Sequence, residues 1–256
     1  MSPDISNQSL LFLFIFVLVP LWLSYYYQLG LKKDIVWSSI RGAVQLFLIG
    51  YALNFLFDLP AIQGIPLMLS VMITVASFHA RKKGEGIPRM LATIFIGLIL
   101  IEISVLSLWL LAGMIEFTPS QVIPMSGMVI GNSMVAMGLA LERMKSEFRE
   151  NEGRILAALS LGAKPNQSSK IILQQTLQSS LIPNVDKLKT IGLVQLPGMM
   201  TGLILGGVNP VTAIKYQLVI SLSIFSAVSI SAIYITLMTY RYFYNDRMQL
   251  KQMESD

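Results

Sequence analysis

Apolar residues along this chain gather into seven windows, at 10–29, 35–57, 61–80, 90–114, 121–141, 188–208 and 215–240. A helix needs roughly 20 predominantly apolar residues to cross the hydrocarbon core of a bilayer, and each window reaches about that length. A membrane β-barrel would instead show segments of about ten residues with alternating polarity, and the windows show no such alternation. The pattern predicts an all-α, polytopic membrane protein of about seven transmembrane helices. One polar stretch, 142–187, is too long and too charged to be a simple turn.

The loops between the windows give an orientation. All of the 19 Lys and Arg residues except Arg41 and Lys215 fall on one side of the predicted layer. The other side carries Asp4, Asp58 and Glu116. Short cytoplasmic loops are enriched in Lys and Arg, so the N-terminus is expected outside and the C-terminus in the cytoplasm. Tyr25, Tyr26 and Tyr27 close the first window, Trp109 nears the end of the fourth, and Tyr240, Tyr242 and Tyr244 close the seventh. Aromatic rings of this kind favour the headgroup level, and all are read as interfacial anchors.

Composition narrows the chemistry. Hydrophobic residues make up 54% of the chain and charged residues 13%, against about 25% charged in soluble domains. There is no cysteine and a single histidine, His79. Disulfides, thiolate chemistry and multi-histidine metal ligation are thereby excluded. The net charge of +5 is spread through loops beside apolar windows, which fits orientation and not nucleic-acid binding. The first window follows a stretch without Lys or Arg and shows no Ala-x-Ala site, so it is expected to remain as a span.

Within 142–187, Glu142 to Leu161 consists of good helix formers and stops at Gly162, a C′ glycine. Pro165 then opens a second helix, whose stripe of Ile171, Leu177 and Leu181 ends before Pro183. Two readings fit this helix–turn–helix: an amphipathic pair lying on the membrane, or a docking element for a soluble partner. The run Leu156-Ala157-Ala158-Leu159-Ser160-Leu161-Gly162-Ala163-Lys164-Pro165-Asn166-Gln167 resembles the cytoplasmic motif by which permeases of ATP-binding-cassette (ABC) importers engage their ATPase. Ala157, Ala158 and Gly162 match it, followed by the similar Ala163, Pro165 and Gln167; Leu156 stands where that motif has Glu.

Three longer blocks resemble the FetB family. They are Ile123-Pro124-Met125-Ser126-Gly127-Met128-Val129-Ile130-Gly131-Asn132-Ser133-Met134, Gly192-Leu193-Val194-Gln195-Leu196-Pro197-Gly198-Met199-Met200-Thr201-Gly202 and Asn209-Pro210-Val211-Thr212-Ala213-Ile214-Lys215-Tyr216-Gln217. That family comprises permease subunits of bacterial iron-export ABC transporters and includes plant proteins linked to aluminium tolerance. The resemblance implies a single permease domain over 1–256 in a cell membrane, coupled through about 142–187 to a separate FetA-type ATP-binding subunit. It implies iron as cargo and efflux as direction; the residues by themselves are equally compatible with another metal, a metal chelate or a small organic solute, and do not set a direction. The chain has no Gly-x-x-x-x-Gly-Lys-Ser/Thr to cradle a phosphate, so ATP hydrolysis is expected in the partner, and a symmetric pair of permeases is the natural closed arrangement.

Candidate transport residues cluster in two windows. Pro and Gly weaken spanning helices where a water-filled path or neighbouring helices satisfy the freed backbone, and broken segments in a transporter often mark the substrate route. Pro197-Gly198 in mid-window is expected to break the helix outright. Met125 and Met128 with Met199 and Met200 offer soft thioethers, or simply fill an irregular core. Asn132, Gln195 and Glu102 are the oxygen donors available to share a cation. Glu102 is a candidate for a cation or proton relay, and Arg41 either pairs with it or snorkels to the surface. His79 is read as a solvated loop residue and Lys215 as an interfacial anchor. No resident cofactor or catalytic residue is expected. An intramembrane enzyme would need convergent nucleophile, base or metal groups, and a retinal protein would need a lysine in the middle of the last span; neither is present.

Overall fold

The computed structural model describes residues 7–251, without the side chains of residues 7–11, 13 and 55; Asp4 lies outside them. Among the described residues ten α-helices follow in order: α1 Asn7–Tyr26, α2 Lys32–Asp58, α3 Ala61–Arg81, α4 Met90–Leu111, α5 Pro119–Glu150, α6 Glu152–Ser160, α7 Pro165–Ser168, α8 Lys170–Thr190, α9 Gly198–Leu205 and α10 Pro210–Thr239. Among the described residues there are no β-strands. Five of the helices, α2, α3, α4, α5 and α10, are long and apolar enough to cross a membrane. The chain divides into two compact units, Met1–Pro60 and Ala61–Asp256.

The first unit is the pair α1 and α2. The Tyr25, Tyr26 and Tyr27 rings at their junction are exposed, and Lys32 Nζ sits 4.1 Å from the Tyr25 ring centroid. An ammonium over an aromatic face is attracted by the ring quadrupole. Aromatic and basic groups are thereby held together at one level, as interfacial anchoring requires.

In the second unit, α5 and α10 pack on each other at the centre, with α3, α4 and α8 against them. The α5 face at Val122, Val129, Ala136, Ala140 and Met144 is buried, a run at seven- and four-residue spacing that marks one helical stripe. Both central helices begin with Pro in the first turn, where its missing N–H costs nothing. Asn209 caps α10, its Oδ1 accepting the Val211 N–H at 2.9 Å. Two hydrogen bonds and one close approach tie α4 to α10. The Trp109 indole N–H donates to Ser223 Oγ at 2.7 Å, the Tyr234 hydroxyl donates to the Thr93 carbonyl at 3.1 Å, and Gly97 lets the Tyr234 ring approach its backbone.

Several sequence expectations change here. Trp109 is fully buried and bonded to α10, so it is an internal bridge and not a headgroup anchor. Tyr244 is buried as well. The helix expected from Glu142 belongs to α5 as far as Glu150, then restarts at Glu152. The second cytoplasmic helix does not end before Pro183: α8 continues through that proline to Thr190. The sixth apolar window, 188–208, is no single helix. It holds the end of α8, a non-helical stretch at 191–197 and the short α9.

Candidate functional site

Two places in the second unit gather the residues singled out by sequence. The first is the turn between α6 and α7. Gly162 has φ +87°, a left-handed conformation that costs an L side chain. Its N–H donates to the Leu159 carbonyl at 2.9 Å, and the Ala163 N–H reaches back to Ala158 at 3.0 Å. This pair of bonds is a Schellman stop. Pro165 opens α7, and the Gln167 side chain accepts the Lys164 N–H at 2.9 Å. Ile155 is the buried residue of α6; Ala157 is exposed, Ala158, Ala163 and Pro165 are half-buried, and Leu161 at the tip is 89% exposed.

Behind this turn the chain is fastened. The Tyr244 hydroxyl lies 2.6 Å from Ser169 Oγ and 3.0 Å from Ser168 Oγ. Its ring meets Phe148 edge-on at 6.0 Å, and Phe148 stacks on Phe243 at 4.2 Å. The start of α8 is thus held beside the end of α5. From there α8 runs antiparallel along α5, since its last turns, at Asn184, Lys187 and Leu188, face Met128 and Asn132. Asn132 lies near the middle of the apolar window 121–141.

That meeting point is the second place. A cleft of about 240 Å³ opens between α5, the end of α8, the 191–197 stretch, the start of α9 and α10. Met128, Asn132, Gln195, Pro197, Gly198 and Met199 all line it. The broken backbone is compact: Gly192 N–H donates to the Gln195 carbonyl at 2.9 Å, and α9 begins after Pro197 without a side-chain cap. A neighbouring cleft of about 300 Å³ shares Met128 and Met199 and adds Met125. Met200 is half-buried and lines neither cleft. Glu102 is also outside both. It is buried on α4, and its carboxylate oxygens have no hydrogen-bond partner among the described residues.

Asn184, Lys187, Gln217 and Ser221 line the cleft as well, and sequence reasoning did not select them. Gln217 Nε2 donates to Ser221 Oγ at 2.7 Å, while Gln217 Oε1 is buried without a partner. Gln217 closes the Asn-Pro-Val block that carries the resemblance, which was the available signal. The sequence places Lys187 at the end of the cytoplasmic segment 142–187, whereas α8 carries it to Met128 and Asn132. Among the described residues no three His, Cys, Asp or Glu side chains converge as a metal site.

The sequence pattern of the uncharacterised protein family UPF0014 matches residues 7–244. The chain belongs to the UPF0014 family. A UPF0014 relative in Escherichia coli (strain K12), the probable iron export permease protein FetB, is 40% identical over 97% of this chain and 96% of its own length. The Bacillus subtilis (strain 168) membrane protein YjkA is 40% identical, covering 96% of this chain and 98% of its own. Protein ALUMINUM SENSITIVE 3 of Arabidopsis thaliana is 32% identical over 92% of this chain and 86% of its own. No solved structure matches. The UPF0014 assignment, the relatives named as membrane proteins and the five apolar helices together make this a multi-pass membrane protein of the permease type.

Proposed function

We propose that this chain is the membrane subunit of an ABC transporter that exports iron, working as a symmetric pair energised by a separate ATP-binding subunit. The observation that carries the reading is the path from the Gly162 turn to the cleft. The exposed tip at Leu161 leads through α7 into α8, and this one helix reaches from the Ser169–Tyr244 fastening to Asn184 and Lys187 in the cleft. A partner that binds the turn differently before and after ATP hydrolysis would bias the permease between two states, and a packed helix would carry the displacement to the cleft. The docking element is the 152–169 segment, with Ala157, Ala158, Gly162, Ala163 and Pro165 shaping it.

Iron and export come from the name of the FetB relative. The paired arrangement is the closed symmetric form that a permease subunit without its own ATPase motif would take. Co-purification with the cognate ATPase tests the docking claim: the wild-type chain should retain the subunit, while Leu161→Asp and Gly162→Pro should lose it. Equal retention by both variants would sink the assignment of the turn.

A further inference from the structure

The cleft beside α9 carries positive charge and no negative charge. Lys187 lines it together with the amide or hydroxyl side chains of Asn132, Asn184, Gln195, Gln217 and Ser221, and no Asp or Glu is among its lining residues. The nearby Lys189 is paired with Asp186 at 3.0 Å, so those two charges largely cancel. Lys187 has no ion-pair partner among the described residues.

This donor set is a poor match for a bare iron cation. Fe(II) is held by imidazole and carboxylate, neither of which lines the cleft, and the exposed Lys187 ammonium repels a divalent cation. The same set matches an oxygen-rich anion, which takes hydrogen bonds from an ammonium and amide N–H groups. The uncapped start of α9 faces the same space and has the same polarity. The volume, about 240 Å³, holds a solute several times the size of one water, whose share of the liquid is about 30 Å³.

We infer that the cleft lined by Lys187, Asn132, Asn184 and Gln217 binds an oxygen-rich anionic solute, so that iron enters as an anionic polycarboxylate complex and not as a free cation. The identity of iron as cargo rests on the permease reading above; the preference for an anion rests on the cleft alone.

Equilibrium binding to the purified full chain in lipid nanodiscs tests this without the ATPase. The probes are radiolabelled iron(III)–citrate, iron-free radiolabelled citrate and radiolabelled Fe(II) kept reduced without chelator. The wild-type chain should bind iron(III)–citrate, Lys187→Glu should weaken that binding at least tenfold, and Lys187→Arg should keep it within about threefold. Fe(II) alone should bind no better than to empty nanodiscs. Iron-free citrate binding as tightly as the complex would support the anion site and overturn the entry of iron as its complex. Fe(II) binding that strengthens in Lys187→Glu, iron(III)–citrate binding indifferent to that substitution, or no binding of either citrate probe to the wild-type chain would overturn it.

Discussion

The Tyr244 hydroxyl and Ser169 Oγ lie 2.6 Å apart, both buried, and this contact joins the segment that follows α10, five residues past its end, to the residue just before α8. Tyr244 also touches Ser168 and, through its ring, Phe148 at the end of α5. The two central helices and the head of α8 therefore meet at one side chain. Anything that moves the α6–α7 turn must move against it.

Tyr244→Phe removes the hydroxyl and keeps the ring. A buried donor or acceptor left without a partner costs about 1–3 kcal/mol, and Ser169 Oγ has no other partner among the described residues. The variant should unfold at lower temperature in detergent. It should also lower the iron exported per ATP hydrolysed, which measurement of both rates on one preparation would report. Unchanged stability would mean that the contact is idle.

Gly162→Ala tests the stop of α6. A left-handed L residue costs roughly 1–2 kcal/mol, and nothing lies within 4 Å of the added methyl. The loss should therefore be conformational and local. Weaker ATPase retention with little change in global melting is the expected outcome, read by co-purification and thermal unfolding together.

Gly97→Ala should act differently, because its methyl would collide with the Tyr234 ring and the Met137 methyl. Overpacking a close core typically costs about 1–3 kcal/mol. Pairing it with Tyr234→Leu should give a smaller loss than the sum of the two, since residues in contact do not behave additively. Additive losses in a thermal double-mutant cycle would contradict the close approach.

Trp109→Phe keeps an aromatic side chain and deletes the bond to Ser223. A net loss of about 1 kcal/mol follows from one hydrogen bond, with a larger loss if Ser223 is left unsatisfied. A headgroup anchor would instead tolerate Phe, so thermal stability in nanodiscs separates the two roles.

The helices that were legible in the sequence are those that bury themselves by composition. Spans such as α4 and α10 stand out because their apolar windows are long. The helix stop at Gly162 was legible for a local reason: only glycine adopts its φ without cost. The break at 191–197 was visible in Pro197-Gly198, because proline and glycine both weaken a helix in place. The helix after Pro165 was legible from its stripe of Ile171, Leu177 and Leu181. Its continuation through Pro183 to Thr190 was not, because a proline in mid-pattern reads as a stop and the packing of α8 on α5 and α10 is tertiary. Lys187 and Asn184 were missed with it, and Gln217 came to notice only through the cleft it shares. Trp109 and Tyr244 were misjudged for a related reason. Position at the end of a window suggests the headgroups, but the partners that bury them, Ser223 and Ser169, are distant in sequence.

The central claim is that ATP hydrolysis in a partner drives iron through this chain by way of the α6–α7 turn. The most direct measurement is ATP-dependent flux of radiolabelled iron, supplied as citrate complex and as Fe(II), in proteoliposomes carrying the chain with its cognate ATPase. The account predicts flux that requires ATP and is lost in Gly162→Pro. An assembled complex that hydrolyses ATP yet moves no iron in either form would contradict it.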